Sequence, residues 1–298
     1  MYFDIRTDLA CEMLEKKQTK QTGADVRTEE HNGGKITRLH LKNEDVAKEC
    51  GKPCGKYLTI DCGRLHLLPR RSQMATERLL ERELRAMSMQ ATGKTIDDSF
   101  CVLVAGLGNA SLTADAIGPA TVAQLTATRH LREEEAGVYR SLKCSALAAF
   151  SPGVLGQTGI ETQEIIKGVV RAVQPDLLIA VDALAARSCA RLSSTVQLCD
   201  TGISPGSGVG NHRSELSKKT LGVPVIAMGV PTVVHSATLV YDALFEAGIE
   251  EIDHRLKSIL EDQNGFFVSP KESDLITESF ARLLSNAIGE VFTGGIVD

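Results

Sequence analysis

No stretch of this chain is dense enough in lysine and arginine to serve as a nucleic-acid tail, and the formal net charge of −5 is acidic rather than basic. A general nucleic-acid scaffold is therefore excluded. Long apolar runs are also missing. The longest, such as Leu177 to Val181, fall far short of the roughly 20 residues that cross a bilayer. The opening Met1-Tyr2-Phe3-Asp4-Ile5-Arg6 has no apolar export core, so a cytoplasmic protein with no membrane partner is expected. Internal repeats, low-complexity tracts and proline-rich linkers are absent, and nothing divides the chain into two domains. The eight cysteines (Cys11, Cys50, Cys54, Cys62, Cys101, Cys144, Cys189 and Cys199) are scattered. That pattern suits a reducing compartment. Cys50, Cys54 and Cys62 lack the tight paired spacing of a zinc knuckle, so no structural metal is expected.

What is present is a chain of 298 residues, 43% hydrophobic, enough for a substantial core. Residues 13–32 are polar and charged and read as a mobile surface segment. Lys35 to Leu41 and Tyr57 to Asp61 alternate as a pair of antiparallel strands, and Leu79, Leu80, Leu84 and Met87 recur at helical spacing within Ser72 to Gln90. Continuous apolar strands then alternate with amphipathic helices. The strands are Phe100 to Ala105, Ala146 to Phe150, Leu177 to Val181 and Pro224 to Met228; the helices are Pro119 to His130 and Ile160 to Ala172. Helical patterns at Ser236 to Leu260 and Ser273 to Ile288 complete the covering layers. This rhythm predicts an α/β three-layer sandwich with a mostly parallel central sheet.

In such a sheet the chemistry gathers where loops leave the carboxyl ends of the strands. Two acids are placed for it. Asp182 follows Leu177–Val181, and Asp115 stands in the loop that leaves the strand ending near Ala105. Two carboxylates held close cannot both ionise, so one keeps a proton to polarise a carbonyl while the other activates water. Each has a plain alternative: Asp115 as a helix cap ahead of Pro119, and Asp182 as a buried turn anchor. The pair could instead ligate a divalent ion with His235, although a lone histidine there more often caps a helix.

The loop Cys199 to Asn211 contains Gly202-Ile203-Ser204-Pro205-Gly206, which spells a serine nucleophile elbow. Pro205, however, lacks the N–H that such an elbow needs for its oxyanion site. Gly206-Ser207-Gly208-Val209-Gly210 lacks the ending of a phosphate loop, and Gly106-Leu107-Gly108 lacks the third glycine of a dinucleotide fingerprint. No cofactor is expected. A glycine-rich loop remains, with Gly206 and Gly208 able to admit an extended peptide backbone at close range. Near the start, Ile5 to Glu12 reads as an extended segment with no helical stripe: Asp8, large apolar Leu9, small Ala10, then Glu12. It could lie in a cleft as a recognition sequence, or be an acidic tail.

The motifs Gly106-Leu107-Gly108-Asn109 through Asp115-Ala116-Ile117-Gly118-Pro119, Pro175-Asp176 through Val181-Asp182-Ala183-Leu184-Ala185-Ala186-Arg187-Ser188, Asp200 to Asn211, and Gly229-Val230-Pro231-Thr232-Val233-Val234 resemble the germination protease of spore-forming bacteria. The resemblance covers nearly the whole chain. It implies a fold similar to the hydrogenase-maturation endopeptidases and an atypical aspartic endopeptidase with no metal, catalytic through Asp115 and Asp182. It implies small acid-soluble spore proteins as substrates, a homotetramer, and a zymogen of the developing spore, with residues 1–8 a pro-segment and 9–298 a single peptidase domain. Thr7-Asp8-Leu9-Ala10-Cys11-Glu12 is similar to the sequence that family cuts, which places self-cleavage between Asp8 and Leu9. Ala114 stands where the family suggests proline, loosening the Asp115 loop, and His235 where it suggests an acid. Recognition of two substrate acids calls for cations, and Arg187, Arg191 and Arg213 are the candidates near the active edge. The alternative reading is a metal-dependent maturation endopeptidase of the hydrogenase-processing type.

Overall fold

The computed structural model describes residues 7–15, 24–209, 213–249, 253–262 and 266–294. Residues 1–6 of the expected pro-segment, 16–23 of the polar stretch, and Gly210 and Asn211 of the glycine-rich loop lie outside them. The described strands are β1 (Ala24–His31), β2 (Gly34–Leu41), β3 (Gly55–Asp61), β4 (Cys101–Gly106), β5 (Ala146–Phe150), β6 (Leu177–Ala186), β7 (Thr195–Cys199), β8 (Val225–His235) and β9 (Phe267–Val268). All join one sheet in the order β1-β2-β3-β7-β8-β6-β4-β5, with β9 on β8. The quartet β8-β6-β4-β5 is parallel, as the helix-strand rhythm predicts. The β1-β2-β3-β7 side is antiparallel, which makes the sheet mixed as a whole.

Both faces of the parallel quartet are covered, which is why its strands read as unbroken apolar runs. On one face Val102, Val104, Ile179, Val181, Ile226 and Met228 pack beneath the helices Arg70–Thr92 and Ser273–Thr293. On the other, Leu103, Ala105, Leu178 and Ala180 meet Ile166 and Val170 of the helix Thr162–Val173. The result is an α/β protein of three layers.

Several local expectations are corrected. Part of the polar 13–32 stretch is the edge strand β1, joined to β2 through the Asn32-Gly33 turn. Its residues are largely exposed, so no apolar alternation marks them, and the turn is the stronger signal. Pro119 to His130 is not one helix: Ile117–Val122 ends, and Arg129–Glu134 begins after a break. Ser236 to Leu260 likewise divides into Ser236–Glu246 and His254–Asp262. Both β6 and β8 run on past their expected ends at Val181 and Met228. In β8, Pro231 is accommodated because the ladder to β6 shifts register between Leu184 and Ala185. β7 is a further strand, outside the sequence expectation, and its five residues are all buried.

Candidate active site

Asp182 is a residue within β6 rather than the one that follows it. It pairs with Gly229 of β8, whereas β4 reaches only to Val181 through Gly106. Asp182 is thus the first β6 residue to pass the end of its neighbour, at the carboxyl edge of the parallel strands. It is 5% exposed and accepts a hydrogen bond from the Ala183 N–H at 3.0 Å. Burial, followed by the charges of Asp115 and Asp8, raises its pKa well above the usual carboxylate range, against the pull of the Ala183 N–H.

Asp115 comes to the same edge because the loop after β4 turns back on β6. The Leu107 N–H donates to the Val181 carbonyl at 2.8 Å. Gly108 has φ +108°, and a Cβ there would stand 3.1 Å from the Asp115 Cγ. Glycine therefore leaves the space in which the Asp115 carboxylate accepts the Asn109 N–H at 2.8 Å. The next helix, Ile117–Val122, has Ala116 at its N-cap position and no side-chain cap, so Asp115 is not its cap. Burial raises the Asp115 pKa, and the Asn109 N–H opposes this. Thr232 Oγ1 donates to the Ala114 carbonyl at 2.6 Å and Thr277 Oγ1 to the Thr113 carbonyl at 3.2 Å. These two hydroxyls pin the loop that alanine at 114 was expected to loosen. His235 caps the Ser236–Glu246 helix, its Nδ1 accepting the Ala237 N–H at 3.2 Å, and its ring meets Phe267 edge-on at 5.5 Å.

The segment Thr7–Glu12 lies across this edge. It is extended only as far as Leu9. A helix, Ala10–Glu15, follows, and Thr7 Oγ1 accepts the Leu9 N–H at 3.0 Å just ahead of it. The Asp8 N–H donates to the Ala185 carbonyl at 2.9 Å, and the Ala185 N–H returns a 2.9 Å bond to the Asp8 carboxylate. Ser207 Oγ donates to the other carboxylate oxygen at 2.8 Å. The Asp8 carbonyl accepts from Lys52 Nζ and from Gln197 Nε2, both at 3.0 Å. Leu9 is 0% exposed and packs with Leu184, Ala186 and Val234. Glu12, 1% exposed, accepts the Arg187 N–H (2.8 Å) and the Ser188 N–H (2.9 Å), binds the Thr7 hydroxyl, and lies 3.8 Å from Arg191 Nε. Burial raises its pKa in spite of these donors.

The glycine-rich loop approaches this peptide as its composition suggests. A Cβ on Gly208 would stand 2.6 Å from the Asp8 Cγ and 2.9 Å from the Ala185 Cβ. Gly206, at φ +72°, instead supplies the left-handed turn before the short helix Ser207–Val209. The three arginines separate. Arg191 faces Glu12 and also binds Asp61 at 2.9 Å. Arg187 meets Glu12 through its main chain. Arg213 is not brought to the segment; it is exposed and pairs with Glu161 at 3.4 Å. The acid of Asp8 is met by a hydroxyl and an amide where a cation was expected. Nothing in the local sequence marks Ser207, Gln197 or Lys52 for this role: Ser207 lies among the glycines of the loop, and the other two carry no local pattern.

With this geometry in view, the comparisons with known proteins are decisive. The family described as Germination protease matches residues 4–247 of this chain. The chain belongs to the germination protease family. A curated germination protease of Caldanaerobacter subterraneus subsp. tengcongensis is 40% identical, over 99% of this chain and 96% of the relative. One from Clostridium acetobutylicum is 38% identical over 95% and 94%. One from Bacillus cereus strain AH187 is 38% identical over 96% and 81%. Among solved structures, the [NiFe] hydrogenase maturation protease HycI of Thermococcus kodakarensis KOD1 aligns with 65% of this chain and 92% of its own, at 19% identity and a TM-score of 0.33. The protein is thus a protease of the germination class. No helix among the described residues is long and apolar enough to cross a membrane.

The arginine positions give a direct prediction. An Arg191→Ala enzyme should discriminate less between Glu and Gln four residues beyond the cut, by three- to tenfold in kcat/KM, on the order of 1 kcal/mol for a charge-assisted contact. Arg213→Ala should leave that ratio unchanged. Kinetics on the paired peptides check both, and an unchanged ratio in Arg191→Ala would remove it from recognition.

Proposed function

We propose that this protease is a self-cleaving zymogen of the aspartic type. It cuts its own chain between Asp8 and Leu9 and afterwards cuts small acid-soluble spore proteins at similar sequences in the spore core. The reading rests above all on one observation: Thr7–Glu12 lies in the cleft beside Asp182 with its carbonyl, its apolar residue and both its acids individually bound. Asp115 and Asp182 supply the proton chemistry. Both pKa values are raised, Asp182 with Asp115 as one cause, so the pair holds a proton where free carboxyls would not. One member removes a proton from water and the other delivers one to the leaving nitrogen. Residues 1–8 are the pro-segment and 9–298 the peptidase, assembled as a homotetramer.

Acid should favour activation. Glu12, buried within the segment, and Asp182, which feels the charge of Asp8, both have pKa values raised in this docked arrangement. A raised carboxyl pKa stabilises the state that raises it below the ordinary carboxylate range, and that stabilisation is lost as pH climbs through the raised value. Docking of the segment is therefore strengthened as the spore acidifies. The rival view, a frayed terminus trimmed by other enzymes, sits poorly with a buried Thr7 and Leu9. Nor does a metal-dependent maturation activity suit a cleft filled by an acid-bearing peptide in a germination protease.

Mass spectrometry of the purified chain at mildly acidic and neutral pH tests the proposal. Wild type should lose residues 1–8 faster in acid, with or without a chelator, while Asp182→Asn stays intact. Trimming of Asp182→Asn to Leu9 at the wild-type rate would show that the cut is made by something else, and a chelator that stops the wild type would restore the metal reading.

A further inference from the structure

The Asp8 carbonyl is held by two donors that belong to neither carboxylate. Lys52 Nζ and Gln197 Nε2 each lie 3.0 Å from its oxygen. Both donors are thus already aimed at the oxygen on which negative charge would develop if this carbonyl were attacked. Their placement is fixed by the fold. Gln197 is a buried residue of β7, in register with Gly229, which is itself the partner of Asp182. These three therefore form one row across the sheet, the amide at one end and the acid at the other. The Gln197 side chain cannot turn over freely, because its Oε1 accepts the Ala10 N–H at 2.7 Å. Its amide spans Leu9, nitrogen on the Asp8 carbonyl and oxygen on the Ala10 N–H of the following peptide, and so fixes the backbone on both sides of that residue. Lys52 follows Gly51, the left-handed cap (φ 62°) of the helix Glu44–Cys50, and the Lys52 N–H is tied to the Ala47 carbonyl at 3.1 Å. A cavity of about 140 Å³ opens beside these groups, lined by Asp8, Lys52, Gln197, Tyr57 and Ser207.

Given Asp8–Leu9 as the scissile bond, which is the reading above, we propose that Lys52 and Gln197 form the oxyanion site of this protease. Two-carboxylate hydrolysis commonly leaves carbonyl polarisation to the protonated acid. Here that task passes to a cation and an amide, and the acid pair is left with proton transfer. Water oxygen bonds to the Asp8 carbonyl carbon while the carbonyl π pair moves onto oxygen, toward Lys52 and Gln197. The ionised member of Asp115/Asp182 takes the water proton. As the oxygen pair re-forms the carbonyl, the C–N bond breaks and the protonated member gives its proton to the Leu9 nitrogen. The balance is one water consumed, one carboxyl and one amine formed.

The test uses the full chain and a synthetic peptide carrying residues 5–14. Two rates are read: first-order loss of residues 1–8, in which the segment is already docked, and kcat and KM on the peptide. Lys52→Met should lower both the self-cleavage rate and kcat by about 10²–10³-fold, with KM changed less than about threefold, and Lys52→Arg should recover part of the loss. Gln197→Met should behave as Lys52→Met does. Thermal melting establishes that each variant folds, and either donor suffices if the other substitution prevents folding. A kcat within about threefold of wild type, with a raised KM, would overturn the proposal by making the donors ground-state contacts alone. A wild type that leaves both the Asp8–Leu9 bond and the peptide intact would instead sink the self-cleavage reading beneath it.

Discussion

Replacing Asp182 with asparagine is expected to lower peptide turnover by about 10²–10⁴-fold, the usual worth of a positioned acid or base. The same change should raise the melting temperature at pH 8. Asp182 is buried among carboxylates, and its pKa is raised well above the ordinary range. The native state then binds a proton more tightly than the unfolded chain, so wild-type stability is full in acid and falls as pH rises through the raised value. Asparagine has no proton to lose, so the stability gap should open toward alkaline pH and close near pH 4. Asp115→Asn should lose turnover to a similar extent with a smaller stability gap, since its pKa is raised less. Peptide kinetics with pH-dependent melting curves check both. Wild-type turnover in either variant would remove that acid from the chemistry.

Gly208→Ala should be nearly as damaging, by a different route. The added methyl would stand 2.6 Å from the Asp8 Cγ and 2.9 Å from the Ala185 Cβ. Ala185 belongs to β6 and cannot yield, so the Asp8 carboxylate must leave. It then forfeits the hydrogen bonds from Ser207 Oγ and the Ala185 N–H. Two bonds to a charged group lost together are worth on the order of 100-fold or more in kcat/KM. The loss should fall on KM for acid-bearing peptides, and the self-cut should slow with it. Full preference for an acid before the cut in this variant would show that the pocket is read elsewhere.

The parts of this molecule legible in its sequence are those where one local rule governs. The strands of the parallel quartet announced themselves by being apolar on both faces, and the same pattern drew attention to Asp115 and Asp182, although β6 runs on past Asp182 to Ala186. What stayed hidden depends on register between distant segments. Gln197 matters because β7 places it opposite Gly229, and no property of the sequence around it says so. Lys52 lies 44 residues from the carbonyl it binds. Arg213 lies apart from the segment because sequence proximity to the active loop does not fix where a long side chain finds its partner, and it pairs with Glu161. Asp8 needed no cation, since a hydroxyl and a strand-end amide already satisfy it. The loop that carries Ala114 is held by Thr232 and Thr277, far away in sequence, whereas His235 takes the helix-capping role that its position suggested.

The burial of Leu9, Ala10 and Glu12 has a consequence for what happens after the cut. On the proposed scission behind Asp8, residues 1–8 would leave while everything downstream stayed tethered to the catalyst. The new amino terminus still fills the Leu184–Val234 hollow, and Glu12 still rests on the Arg187 and Ser188 amides. The enzyme would then be its own product-inhibited complex, with the tether holding the product at a high effective concentration. An incoming substrate meets an occupied departure side until that leash swings out. Proteolytic competence would therefore lag behind the change in mass, with the delay set by the eviction of Leu9 and Glu12 rather than by hydrolysis.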